Sequence, residues 1–152
     1  MPVLVLALLA AGAVGSFLWD LQRMADVDDA RTAGRVTADE YVEKILSYDH
    51  KRIDEDVAAS TRLMTDGFAE EYTSTIEQVR EEATATKSVV QAGVVASSVV
   101  TADPDRVEAL LFVNQTTEGE QVEEPRVDLN RVVVTLVRDD DQGWLVADLD
   151  AL

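Results

Sequence analysis

The sequence predicts an α+β fold: about three helices packed on a curved antiparallel sheet of about four strands, behind one apolar N-terminal helix. Three observations predict it. An uncharged apolar run, Val3 to Trp19, opens the chain. Apolar residues then recur at helical spacing as far as Ala83. From Val89 onward the period falls to two, with short turns between segments. Helices first and consecutive strands after them place the helices on one side of an antiparallel sheet. An interruption in the strand pattern adds curvature, which makes the domain a half-open cone.

The opening run, VLVLALLAAGAVGSFLW, spans roughly 25 Å as a helix at about 1.5 Å per residue. That is the lower limit for crossing a bilayer core. Val3, Leu6, Leu9 and Phe17 are its apolar anchors and Trp19 its interfacial indole. Ala11, Ala13 and Gly15 would suit signal-peptide cleavage, but the run is long for that role and bulky Phe17, Leu18 and Trp19 follow. Residues 1–19 are therefore read as a retained transmembrane anchor. No Lys or Arg precedes the run, whereas Arg23, Arg31 and Arg35 follow it. Taken alone, this charge pattern leans toward a cytoplasmic C-terminal domain. A start codon upstream, with basic residues ahead of the run, would reverse that lean.

Residues 20–36 are polar, rich in Ala and Arg, and read as a helical stalk, with Gly34 permitting a break. Residues 37–152 then form the domain. Thr37 and Glu40 have the spacing of a capping box, and Tyr41, Val42, Ile45 and Leu46 follow at helical spacing. A second helix is expected from Ile53 to Met64, with Ile53, Val57 and Met64 on one face. A third, about Gly67 to Ala83, carries the stripe Phe68, Tyr72, Ile76 and Val79 and is expected to lie on the sheet.

The first strand is read from Val89 to Val100 and turns at Asp103-Pro104-Asp105. Val107, Ala109, Leu111 and Val113 alternate on the second, whose other face turns apolar at Leu110 and Phe112, so burial on both sides is expected midway. On the third, Val127 to Val137, the apolar residues change parity after Asn130-Arg131, which predicts a β-bulge there. Asp141-Gln142-Gly143 turns into a last strand from Trp144 to Leu149.

Composition removes several functional classes. Across 152 residues, 13 basic residues against 30 acidic ones leave a net charge of −17. Phosphate backbones repel such a surface, and no basic stripe with interleaved aromatics offsets it, which argues against nucleic-acid binding. The chain has no cysteine, so disulfides, thiolate catalysis and cysteine-ligated zinc are excluded. His50, the one histidine, follows Asp49 at a spacing that does not face it on a helix, and it is read as a surface residue past a helix end. Glu118, Glu120, Glu123 and Glu124 lack EF-hand spacing, and Asp139-Asp140-Asp141 reads as a charged turn, so no metal is expected. No nucleophile triad, Walker loop or dinucleotide fingerprint occurs. Gly93 inside a strand is read as a bend.

Tyr41, Tyr72, Phe112 and Trp144 are the candidate ligand-binding set, lining the mouth of the cone, with ordinary core packing as the plainer alternative. Asp148 and Tyr72 are the nearest residues to an acid–base pair, although nothing in their spacing singles them out. Asn114-Gln115 and Asp128 with Asn130 are polar residues in strands. They are expected to satisfy sheet hydrogen bonds or to contact a partner.

Five segments taken together resemble one family. LLFVNQTT (Leu110–Thr117), PRVDLNRVVVTLVR (Pro125–Arg138) and GWLVADLDAL (Gly143–Leu152), with LSYD (Leu46–Asp49) and TDGFAEEY (Thr65–Tyr72), are similar in order and spacing to the Mce-associated membrane proteins of actinobacteria. The resemblance covers nearly the whole chain. It departs from the pattern in lacking basic residues ahead of the apolar run. It implies a cone similar to nuclear transport factor 2 and to the periplasmic domain of VirB8-type scaffolds. It also implies a non-enzymatic, single-pass subunit of the plasma membrane with its domain outside the cytoplasm. Such a subunit would support or stabilise an Mce-type lipid or sterol import complex. The implied partners are Mce transporter subunits, membrane lipid and related accessory proteins, as homo- or hetero-oligomers; no cofactor is implied. Two other functions fit the same cone: a carrier for lipid or sterol, and an isomerase- or cyclase-type enzyme.

Overall fold

Helix α1 runs unbroken from Pro2 to Ile45 in a computed structural model that describes residues 2–120 and 124–152, with side chains of α1 described at Trp19 and from Leu21 onward. The helix does not break at Gly34, and Thr37 and Glu40 lie inside it rather than at a cap. The reason is a stripe of small and apolar residues. Ala30, Gly34, Ala38, Val42 and Ile45 recur every three or four positions, and all are buried. They let α1 lie directly on the sheet, so the end of segment 20–36 belongs to the packed body. Arg35–Asp39 and Lys44–Glu40 ion pairs, at 3.2 and 2.7 Å, brace the solvent side at helical spacing. The anchor residues Val3, Leu6, Leu9 and Phe17 lie outside the residues whose side chains are described, and Trp19 is exposed. Among the described residues no helix is long and apolar enough to cross a membrane.

Strand β1 (Tyr48–Asp49) is two residues long, and α2 (Ile53–Thr61) follows it. Helix α2 stops short of Met64, which instead bridges to Val146. Helix α3 (Asp66–Thr86) starts at Thr65, whose side chain accepts the N–H of Phe68. Its stripe divides between two neighbours. Phe68 and Tyr72 reach the main core, whereas Ile76, Val79 and Ala83 pack with Ile53 and Val57 of α2. Helix α3 thus lies as much on α2 as on the sheet.

The sheet is an antiparallel meander in the order β1-β2-β3-β4-β5, with β2 at Val89–Asp103, β3 at Arg106–Glu118, β4 at Arg126–Asp139 and β5 at Gly143–Ala151. The fifth strand beyond the four expected is β1, too short for any periodicity to reveal. The fold is α+β, three helices on an open five-stranded sheet.

Bulges fall elsewhere than expected. The β3–β4 register is continuous through Asn130 and Arg131. The shifts lie in β2, at Val95 and Val100, and in the β4–β5 pair next to Thr135. Val132, Val134 and Leu136 face the helices, while Val127 and Leu129 turn to solvent on the other face. The change of parity in β4 is therefore a change of exposed face, with no extra residue. In the same way Leu110 is only half-buried and Phe112 is exposed, so β3 is not covered on both sides. The core sits between α1 and the sheet, built on Val107, Ala109, Leu111, Val113, Val134 and Trp144.

Candidate functional site

Polar side chains fasten α1 to the edge of β2. Glu43 Oε1 accepts the N–H of Val94 at 2.8 Å, and Ser47 Oγ accepts that of Ala92 at 2.9 Å. The Ser47 hydroxyl in turn donates to the Glu43 carbonyl at 2.6 Å. Because β1 pairs only with Val89 and Val90, these groups satisfy the edge amides that follow. From the middle of the sheet, Asn130 Nδ2 donates to Gln115 Oε1 at 2.6 Å, and Gln115 Nε2 donates to the Leu46 carbonyl at 3.2 Å. Leu46 lies just past the end of α1, where carbonyls lack helical partners. Gln115 and Asn130 are thus spent on structure. Asp128 pairs with Arg126 at 2.9 Å.

Tyr41, Tyr72 and Trp144 all pack into the main core on the helix side of the sheet. Trp144 is buried, with the Arg138 guanidinium 4.7 Å from its ring centroid. Tyr41 and Tyr72 are half-buried against the same cluster. The Tyr72 hydroxyl donates to the Ile45 carbonyl at 3.4 Å. Burial raises its pKa above the usual phenol value, with a Ser60 hydroxyl opposing and the Asp56 charge adding to the rise. Tyr48 is raised too, by burial first and then by the charge of Glu82. Phe112 does not join the others: it lies across from Arg131 on the opposite face. The core those three pack into is built on Val42, Leu111, Val134 and Leu136, all fully buried. Asp148 is exposed on β5, away from Tyr72 on α3.

His50 is half-buried rather than exposed. Its Nδ1 lies 3.5 Å from Asp49 Oδ1 and has no hydrogen-bond partner among the described residues, while its backbone N–H donates to Ser88. Among the described residues, no three His, Asp or Glu side chains converge on a point a cation would occupy. Glu118, Glu120 and Glu124 are exposed, and Glu123 lies outside the described residues. Asp139 Oδ1 accepts the amides of Asp141 and Gln142, at 3.0 and 2.9 Å, and so shapes the last turn.

The outer face of the sheet holds what the sequence reading missed. Val95, Phe112 and Leu129 border a groove of about 230 Å³ there, with Asn114 and Arg131. A trace of it is present in the sequence: Phe112 and Leu129 share strand parity with polar Asn114 and Arg131, the outward side of each strand.

No known family profile matches the chain. It is 28% identical over 148 residues to the uncharacterized proteins Rv1362c and MT1407 of Mycobacterium tuberculosis. The match takes in 95% of this chain and spans 66% of the length of those relatives. In structure it is similar to an IcmL-like type IV secretion system protein of Legionella pneumophila, with TM-score 0.71, 16% identity, and 80% of this chain and 91% of that one covered. The periplasmic domain of DotI gives TM-score 0.69 at 15% identity, with 80% and 94% covered. VirB8 of Agrobacterium tumefaciens gives TM-score 0.64 at 14% identity, with 86% and 92% covered. The fold is therefore VirB8-like.

Proposed function

We propose that the chain is a non-catalytic accessory subunit that supports or stabilises an Mce-type lipid or sterol import complex. Its first nineteen residues hold it in the plasma membrane as a single pass, and its domain lies outside the cytoplasm. The observation that carries the reading is the fold, shared with a type IV secretion system protein and with a periplasmic domain. The order and spacing of the five Mce-associated-like segments supply the transporter class. The packed core also favours contact over chemistry: Tyr41, Tyr72 and Trp144 are spent on packing, and the amides of Gln115 and Asn130 on hydrogen bonds. For the same reason the carrier reading has less support than the subunit reading.

Affinity purification of the full chain from detergent-solubilised membranes of its own cell tests the proposal. Mce and permease subunits should co-purify with it. Removing residues 1–19 should release a folded domain from the membrane fraction and abolish its contribution to lipid uptake. Recovery of the intact chain from the cytosol, or full uptake with the truncated form, would contradict the reading.

A further inference from the structure

The outer sheet face carries a cluster that internal packing does not explain. The register shift between Val94 and Ala96 throws Val95 outward. Phe112 lies between Ala96 and Arg131 in the neighbouring strands, and Asn114 lies across from Leu129. Val95, Phe112 and Leu129 thereby meet around one groove, with exposures of 61%, 43% and 81%. Single exposed apolar residues are ordinary, but a contiguous set rimmed by polar groups marks a contact surface. Arg131, exposed at its border, makes no side-chain ion pair or hydrogen bond among the described residues. This is notable in a chain with 30 acidic residues against 13 basic ones. Asn114 Oδ1, on the same groove, also has no hydrogen-bond partner among the described residues.

We propose that this face docks another protein, by a segment that inserts one large apolar side chain between Val95, Phe112 and Leu129 and sets a carboxylate on Arg131. Charge and size select this occupant. An unpaired guanidinium beside an aromatic ring is the kind of anchor that carries interface energy, and it calls for an anion. A groove of about 230 Å³ is smaller than the roughly 300–1,000 Å³ of small-ligand sites, but it admits one side chain. A second copy of this chain brings its own net charge of −17 to the contact and is repelled. An acyl chain offers neither a donor to Asn114 nor an anion to Arg131 along its length. The proposal rests on the reading of the chain as a subunit of a larger complex.

Photo-crosslinking in the full chain, in its own cell, tests it. The probe is p-benzoylphenylalanine in place of Leu129, with the same probe in place of exposed Thr84 on α3 as control. Irradiation should give a single protein adduct from position 129 and none of that mass from position 84. Arg131→Glu should cut the adduct at least tenfold without changing the melting temperature. In that background, reversing the facing carboxylate of the identified partner to Arg should restore it. An adduct with a second copy of the chain, an adduct with lipid alone, no adduct, or one indifferent to Arg131→Glu would overturn the docking face. Transporter subunits that co-purify while position 129 gives no adduct would remove this proposal and leave membership of the complex intact. Loss of both would remove both.

Discussion

A Cβ built on Gly34 would lie 2.7 Å from Cγ2 of Val107 and 2.9 Å from its Cβ and Cγ1. Neither side has room to yield, because Val107, Ala30 and Ala38 are fully buried. Two effects compete in Gly34→Ala. Helix propensity favours alanine by about 1 kcal/mol. Overpacking a well-filled core costs about 1–3 kcal/mol. The clash involves the stem of a β-branched side chain on a central strand, so overpacking should win. The variant should lose about 1 kcal/mol net, read as a lowered midpoint in urea or thermal melts. A midpoint at or above that of the parent would mean that α1 can lift off β3 at no cost. A glycine in a helical stretch thus served as a contact point, although in sequence it carried the mark of a hinge.

At the level of elements, the join between α1 and β2 is held by side chains doing the work of a missing strand. Beyond Val90 the β2 edge has no strand partner, and Glu43 and Ser47 take its amides at Val94 and Ala92. Glu43→Ala should leave the Val94 N–H without its acceptor, at a cost of about 1–3 kcal/mol for an enclosed amide. Glu43→Gln keeps an acceptor oxygen and should recover most of that loss. Native-state hydrogen exchange checks it: the Val94 amide should exchange faster in Glu43→Ala than in Glu43→Gln. Equal protection in the two would show that water, not Glu43, satisfies this edge. Nothing in the sequence marks Glu43 for this role, since a charged residue on a helix has its usual place in solvent.

The whole molecule carries a net charge of −17 in 152 residues, so its folded form works against its own repulsion. Local ion pairs such as Lys44–Glu40 and Arg35–Asp39 offset little of this, being exposed. Screening shortens the reach of the field from about 30 Å at 0.01 M salt to about 8 Å at 0.15 M. The melting temperature of the full chain in nonionic detergent should therefore rise between those two salt concentrations and level off beyond. A fall would mean that attractive pairs outweigh the general repulsion. The same field sets the partner's terms, because an acidic surface with one unpaired guanidinium in an apolar patch admits a carboxylate there and disfavours it elsewhere.

By itself the sequence determined the class of the fold, the stretch of most elements and one inward face, that of β3 at Val107, Ala109, Leu111 and Val113. Period and parity are local properties of the chain. Val107, Ala109, Leu111 and Val113 could be assigned to the core from alternation alone, and so could Trp144 to a strand after a Gly-marked turn. Only the tertiary structure decided whether α1 breaks at Gly34, which helix α3 lies on, where the bulges fall, and that Phe112 stands apart from Tyr41, Tyr72 and Trp144. Each of these depends on what lies across a gap in space from a residue far away in the chain. An apolar side chain has the same pattern in sequence whether it faces a filled core or an open groove, and the difference is made by the surface that comes to meet it.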